Sequence, residues 1–188
     1  VTRDDDNDGQ WTGMWLAALA FKYAVTKDEG TKARARAASK ALRFLEEITP
    51  RPGLIARSVM PIADCGGKLS GDPELVGEWH ASEDGAWCWK GDTSNDEVLG
   101  HIYGQILYYD LVLDPAEDAD ERAAVAGMMA RLMDDIVDGG GSPHKFQVVD
   151  IDGLGTTDGH FDPLFMKTIG QFGDAAKKLK ITKQMFTM

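Results

Sequence analysis

The stretch WTGMWLAALAFKYAV, residues 11–25, decides the fold because it is apolar almost all the way round a helix. Only Thr12, Gly13 and Lys22 interrupt the apolar run. A helix with apolar residues on nearly every face has to be covered by other elements on most of its sides. The stretch therefore predicts an inner helix that neighbouring helices enclose.

The same pattern returns later in the chain. SNDEVLGHIYGQILYYDLVL, residues 94–113, is again apolar on most faces, and aligning Gly13 with Gly100 places similar residue types opposite each other. Each of these inner helices is followed by an amphipathic one, predicted at residues 31–48 and at residues 119–137. A unit that recurs in this way indicates a repeated helical hairpin.

The segment between the two hairpins shows no sustained period. Residues 51–92 are rich in Gly, Pro and Asp, so we predict a long loop, with a short extended segment near residues 54–60. The loop carries Trp79, Trp87 and Trp89. Aromatic side chains are costly to leave in water, which weighs against disorder.

Inner and outer helices joined as antiparallel hairpins predict two layers, which close into an (α/α) toroid when the unit repeats. At about 40 residues per helix pair the chain holds roughly two and a half hairpins, whereas a closed ring takes about six. We therefore expect one all-α domain, residues 1–188, that forms part of a larger toroid. A short β-hairpin at residues 144–153 and the start of a third inner helix at residues 163–179 fit this plan.

The charge balance excludes several kinds of partner. The 188 residues contain 20 Lys and Arg against 31 Asp and Glu, a net charge of -11, which disfavours nucleic acid and anionic membranes. No apolar run is long enough to cross a bilayer, and the acidic start is unlike a signal peptide. Because the chain begins with Val, we expect a processed protein or a piece of a longer one. Cys65 and Cys88 are too few for a disulfide framework and lack metal-site spacing, so the redox compartment stays open.

The acidic segment before the first helix has the spacing of a calcium loop. Asp4, Asp6 and Asp8 alternate and are followed by Gly9, as in the first half of an EF-hand. The twelfth position of such a loop would be Trp15, where an EF-hand needs a bidentate Glu. A partial calcium site formed by the three aspartates therefore remains, and no other cofactor is predicted.

Three segments carry a resemblance to a known group of proteins. DNDGQWTGMWLAALAFKYAVTKD (residues 6–28), PGLIARSVM (residues 52–60) and WKGDTSNDEVLGHIYGQILYYDLV (residues 89–112) resemble parts of bacterial six-hairpin carbohydrate-active toroid proteins. That group contains glycoside hydrolases and polysaccharide lyases. The resemblance implies a carbohydrate ligand, a secreted or periplasmic location, and further chain segments or subunits that complete the ring.

Hydrolysis of a glycosidic bond is the first functional hypothesis, because it needs two carboxyl groups on either side of one linkage. Asp8, Asp92, Asp96 and Glu97 lie near the predicted starts of the inner helices and are the candidate catalytic carboxylates. Ordinary capping of a helix start is the alternative role for each of them.

Two alternatives stay open. A polysaccharide lyase would use His101 and Tyr103 in β-elimination, although the tyrosines of this helix are equally well explained as core residues. A fragment that binds a glycan or peptide without cleaving it is the third hypothesis. For the substrate-binding residues we expect Trp11, Arg57, Trp79, His80, Trp87 and Trp89, with the loop tryptophans either stacking on sugar rings or forming the loop's own core.

Overall fold

A computed structural model describes residues 7–69, 79–91 and 93–137 of the chain. The described elements are four helices, three strands and two short 3-10 turns. They are α1 (Asp8–Thr26), α2 (Glu29–Glu47), β1 (Ser58–Pro61), the turns Ile62–Asp64 and Gly66–Lys68, β2 (Trp79–Ala81), β3 (Trp87–Lys90), α3 (Asn95–Leu111) and α4 (Ala119–Val137). The β-hairpin predicted at residues 144–153 and the third inner helix at residues 163–179 lie outside the described residues.

Helices α1 and α3 pack side by side through glycines. A Cβ atom placed on Gly13 would overlap the backbone carbonyl of Gly100, and one placed on Gly104 would lie within 3 Å of the Gly13 backbone. Gly9 at the start of α1 lies against Glu97 at the start of α3, so the two helices run parallel. Glycine has no side chain, which lets the two backbones meet directly.

Helices α2 and α4 also lie side by side and are joined by ion pairs along their length. Near their starts, the Lys32 ammonium lies 2.7 Å from an Asp118 carboxylate oxygen. Near their ends, Arg131 donates two hydrogen bonds, of 2.8 and 2.7 Å, to the Glu46 carboxylate. Glu46 is buried, and it also accepts a hydrogen bond of 2.9 Å from the Gly53 N–H. These pairs align α2 with α4 in the same direction and hold the chain that follows α2.

The main core lies between the four helices, with Leu16, Leu42, Tyr108, Met128 and Leu132 among its fully buried members. Local sequence signals set the helix starts. The Asp28 carboxylate caps α2 by accepting a hydrogen bond of 2.7 Å from the Thr31 N–H.

The predicted all-α partial toroid is wrong as a fold class, because the segment between the helix pairs contains a sheet. Three antiparallel strands lie in the order β1-β3-β2, and Trp89 of β3 pairs with Val59 on one side and His80 on the other. The sheet has its own small core of Met60, Cys65, Trp79 and Cys88. Buried side chains therefore order much of the stretch predicted as a long loop.

The prediction that α1 is covered on most sides is also wrong for the described residues. Trp11, Met14, Trp15, Phe21 and Val25 are all at least half exposed, on the face opposite the glycines that meet α3.

A disulfide bond joins Cys65, which follows the first 3-10 turn, to Cys88 in β3. The half-cystines are 23 positions apart, and their closed loop contains the second 3-10 turn and β2. The bond limits the conformations of the unfolded chain, an effect worth about 3 kcal/mol for a loop of this length.

We expect the double substitution Cys65→Ser and Cys88→Ser to lower the free energy of unfolding by about 3 kcal/mol. Urea unfolding followed by circular dichroism measures the change. The wild-type protein under reducing conditions serves as the control and should match the double variant. Equal stability of the oxidised wild type and the double variant would contradict this role of the disulfide.

Candidate functional site

The candidate site lies where α1 and α3 begin next to each other, beside the first strand. Asp8, in the first turn of α1, accepts a hydrogen bond of 2.6 Å from the hydroxyl of Ser58, the first residue of β1. Next to this pair, the Arg57 guanidinium donates a hydrogen bond of 3.2 Å to the side-chain oxygen of Asn7. The sheet that sequence analysis missed thus holds the start of α1 in place.

Glu97, in the first turn of α3, is 0% exposed, and neither of its carboxyl oxygens has a hydrogen-bond partner among the described residues. The carboxyl group faces the first backbone amides of α1, at Gly9 and Gln10. These amides are close enough to stabilise a negative charge on the carboxyl group, but they form no hydrogen bond of ordinary geometry with it. A Cβ atom on Gly9 would overlap a Glu97 oxygen, so this position depends on glycine.

The environment of Glu97 favours its neutral form. Burial raises the pKa of this carboxyl group to about 8, and the negative charge of Asp8 acts in the same direction. The amides of Gln10 and Gly9 and the positive charge of Arg57 oppose the rise in pKa without cancelling it. Because the pKa lies above 7, Glu97 holds its proton at neutral pH.

His101, one turn after Glu97, is fully buried. Its Nδ1 lies 2.9 Å from the backbone oxygen of Glu97, and its Nε2 lies 3.2 Å from the backbone oxygen of Leu42 in α2. Burial lowers the pKa of His101 to about 4, so the ring is neutral at pH 7 and has one N–H to donate. His101 is a core residue in this structure, with both ring nitrogens against backbone oxygens, and its role in the lyase hypothesis stays a prediction.

Asp96 and Tyr103, two further predicted catalytic residues, have exposed side chains. Asp96 is exposed in the first turn of α3. Tyr103 is 49% exposed, whereas His101 is enclosed, so the two side chains of the proposed lyase pair have different environments. Asp92 lies outside the described residues.

The calcium site stays a prediction. Asp4 and Asp6 lie outside the described residues, and Asp8 bonds to Ser58. Within residues 7–69, 79–91 and 93–137, no group of three or more His, Cys, Asp or Glu side chains is arranged to hold a metal ion.

The predicted sugar-stacking tryptophans are mainly core residues. Trp79 and Trp89 are 6% and 5% exposed, and the His80 ring packs on Trp89 with 4.5 Å between ring centres. Trp87 is partly buried against α2. Trp11 is 59% exposed and has the most open ring of the set.

Two residues that build this site were not predicted in that role: Ser58 was not predicted at all, and Gly9 was predicted only as the turn residue of a calcium loop. Ser58 had no motif to mark it. Gly9 did have a signal, because Gly9 and Gly13 are four residues apart on α1, as Gly100 and Gly104 are on α3. Small residues at this spacing form a flat strip along one helix face, where a second helix can approach closely.

Comparison with known proteins does not indicate a function, so the functional proposal depends on the residues of the site. No family profile matches the chain, and neither the curated proteins nor the solved structures contain a significant match. Among the described helices, none is both long and apolar enough to cross a membrane.

We expect the free energy of unfolding to fall by about 2 kcal/mol as the pH rises from 6.5 to 8. Glu97 has an ordinary pKa of 4.5 and a folded pKa of about 8, so between these values the folded state holds a proton that the unfolded state releases. The stability from this group is fully present below pH 4.5 and is lost as the pH rises to 8.

His101 acts in the opposite sense at lower pH. Its pKa falls from 6.5 to about 4 on folding, so its contribution is present above pH 6.5 and is lost as the pH falls to 4. Above pH 6.5 the change in unfolding free energy that comes from Glu97 is therefore separate from the one that comes from His101. Urea unfolding at several pH values should show the decline in wild type and in the exposed control Glu117→Gln, and not in Glu97→Gln. A decline that persists in Glu97→Gln would refute the assignment.

Proposed function

We propose that the protein hydrolyses a glycosidic bond, with Glu97 as the proton donor and Asp8 as the carboxylate that assists the attack on the sugar. Glycoside hydrolysis requires one carboxyl group that is protonated and one that is ionised. The observation that supports the proposal is the pairing of Asp8 with a buried Glu97 carboxyl group that has no hydrogen-bond partner among the residues that the structure describes. Two carboxyl groups in such different environments can divide the acid and base roles.

The local contacts suit each role. The Ser58 hydroxyl donates to Asp8, and the first turn of α1 presents its positive dipole end there, so both favour the ionised carboxylate. Glu97 is kept neutral by burial and by the charge of Asp8. In the proposed reaction Glu97 gives its proton to the oxygen that leaves the sugar, and Asp8 supports the attack at the sugar carbon. The glycosidic C–O bond breaks as a water oxygen bonds to that carbon; one water proton passes to Asp8 and the other stays on the new hydroxyl group. Transfer of the Asp8 proton to solvent and reprotonation of Glu97 from solvent restore both groups.

Glu97 must reach the substrate, although its side chain is enclosed in this structure. Its two oxygens have no hydrogen bonds among the described residues, so a rotation of the side chain towards a substrate breaks none there. A buried polar group without partners is uncommon in folded proteins and is a recognised feature of catalytic sites. The resemblance to carbohydrate-active proteins agrees with this substrate class and stays a prediction.

The test is an assay of the wild-type protein against neutral and uronate-containing polysaccharides. We expect new reducing ends without the ultraviolet absorbance of unsaturated uronate products. Unsaturated uronate products would show that the protein cleaves by β-elimination and that the proposed hydrolysis is wrong. Glycan binding without new reducing ends on any substrate would favour the non-catalytic hypothesis.

A further inference from the structure

Helix α1 exposes an apolar stripe that no described residue covers. The stripe consists of Trp11, Met14, Ala18, Phe21 and Val25. Its four large side chains are 59%, 51%, 50% and 85% exposed, in chain order. Trp15, which is 56% exposed, lies along one edge of the stripe. Monomeric proteins rarely leave so many large apolar side chains together in water, and such a surface marks an interaction site.

The spacing of the α1 stripe indicates that its partner is another helix. Its five members follow one another at intervals of three, four, three and four residues. This alternation is the a and d pattern of a helix pair, in which the side chains of one helix fit between those of the other. Between residues 11 and 25 the only charged side chain is Lys22, so the stripe has no acidic group although the chain has a net charge of -11.

The stripe is also complementary to itself. When two copies of α1 lie antiparallel about Ala18, Trp11 of one copy lies opposite Val25 of the other, and Met14 lies opposite Phe21. Each outer pair joins a larger side chain to a smaller one, and the small alanines meet at the centre. A two-fold dimer requires this kind of self-complementary surface.

We propose that the α1 stripe is the contact of an antiparallel homodimer. Large side chains that are about half exposed can each bury roughly 100 Å². With Trp15 at its edge, each stripe offers five such side chains, so two stripes bury about 1,000 Å² in total, which is about the minimum for a specific interface. The dimer is therefore concentration-dependent. This assigns Trp11 to a protein contact, and it does not depend on the proposed hydrolase activity.

Analytical ultracentrifugation of the full chain over a wide concentration range tests the dimer. We expect wild type to pass from monomer to dimer as the concentration rises, and Ala18→Glu to remain a monomer, because two like charges would meet at the two-fold axis. Ala37→Glu is the matched control, since Ala37 is an exposed alanine on α2, and it should dimerise like wild type. Unchanged circular dichroism shows that the variants are folded.

Two outcomes overturn the proposal. The proposal is wrong if the wild-type protein stays monomeric at every concentration, whether its stripe is open or covered by residues of its own chain. A dimer that survives Ala18→Glu places the contact on another surface.

Disulfide crosslinking tests the antiparallel arrangement. Under mild oxidation, Ala18→Cys should form a covalent dimer, because the two copies of residue 18 meet at the axis. Val25→Cys should not, since residue 25 of one copy lies far from residue 25 of the other. Efficient crosslinking of both variants indicates parallel helices and contradicts the proposed arrangement.

Discussion

Replacing Gly13 with alanine is expected to lower the free energy of unfolding by about 3 kcal/mol, and the melting temperature by about 10 °C. The added Cβ atom would overlap the backbone of Gly100, which cannot rotate away as a side chain can. Helices α1 and α3 must then move apart, and their shared core loosens. Gly100→Ala should have a similar effect, because its Cβ atom would meet the backbone of Gln10.

Gly127→Ala provides the matched control for this prediction. Gly127 lies inside α4, and its nearest neighbour is the flexible end of the Arg131 side chain at 3.4 Å. Alanine favours a helix by up to about 1 kcal/mol over glycine, so this variant should be as stable as wild type or more stable. Thermal unfolding separates the two cases. Equal effects of Gly13→Ala and Gly127→Ala would show that α1 and α3 do not meet through their glycines.

The second large effect is expected on catalysis. With a polysaccharide that the wild-type protein cleaves, Asp8→Asn and Glu97→Gln should each lower kcat by about 100-fold or more. The first change removes the ionised carboxylate, and the second removes the transferable proton. Measurement of reducing ends under saturating substrate gives kcat directly. Asp110→Asn and Glu117→Gln are matched controls at exposed positions and should retain activity.

The pH dependence of the same reaction adds a test that a merely structural role would not pass. Activity should be lost as the pH rises through about 8, because Glu97 then gives up the proton that it has to donate. Full activity of Glu97→Gln in a folded protein would remove Glu97 from the mechanism. Loss of stability in Asp8→Asn without loss of turnover would reduce Asp8 to a helix cap.

The helices were well predicted because their signals are local and long. Residues predicted at 11–25, 31–48, 94–113 and 119–137 form helices at Asp8–Thr26, Glu29–Glu47, Asn95–Leu111 and Ala119–Val137. The four helices are 17 to 19 residues long, and a segment of that length with one consistent pattern leaves little ambiguity.

The sheet was missed because its strands are too short to show a period. They have four, three and four residues, and partners distant in sequence hold them together. Ser58 pairs with Lys90, and Cys65 bonds to Cys88. Neither contact can be deduced from spacing alone. The three tryptophans did indicate an ordered segment, but not that it forms strands.

The position of Glu97 was only partly predictable. The sequence TSNDE, residues 93–97, predicts a capped helix start, and the Ser94 hydroxyl does accept a hydrogen bond from the Glu97 N–H at 3.4 Å. A carboxylate in the first turn is normally exposed. Glu97 is buried because Gly9 on the other helix lets α1 come close, and that depends on the packing of two distant segments.

The most direct test of the central claim is a carbon-detected NMR titration of the Glu97 carboxyl group, with its signal identified by its absence from Glu97→Gln. The burial of Glu97 predicts a midpoint near pH 8 for this signal. A midpoint near the ordinary value of 4.5 would show that Glu97 is ionised at pH 7. In that case it cannot be the proton donor, and the hydrolytic role of this site is wrong.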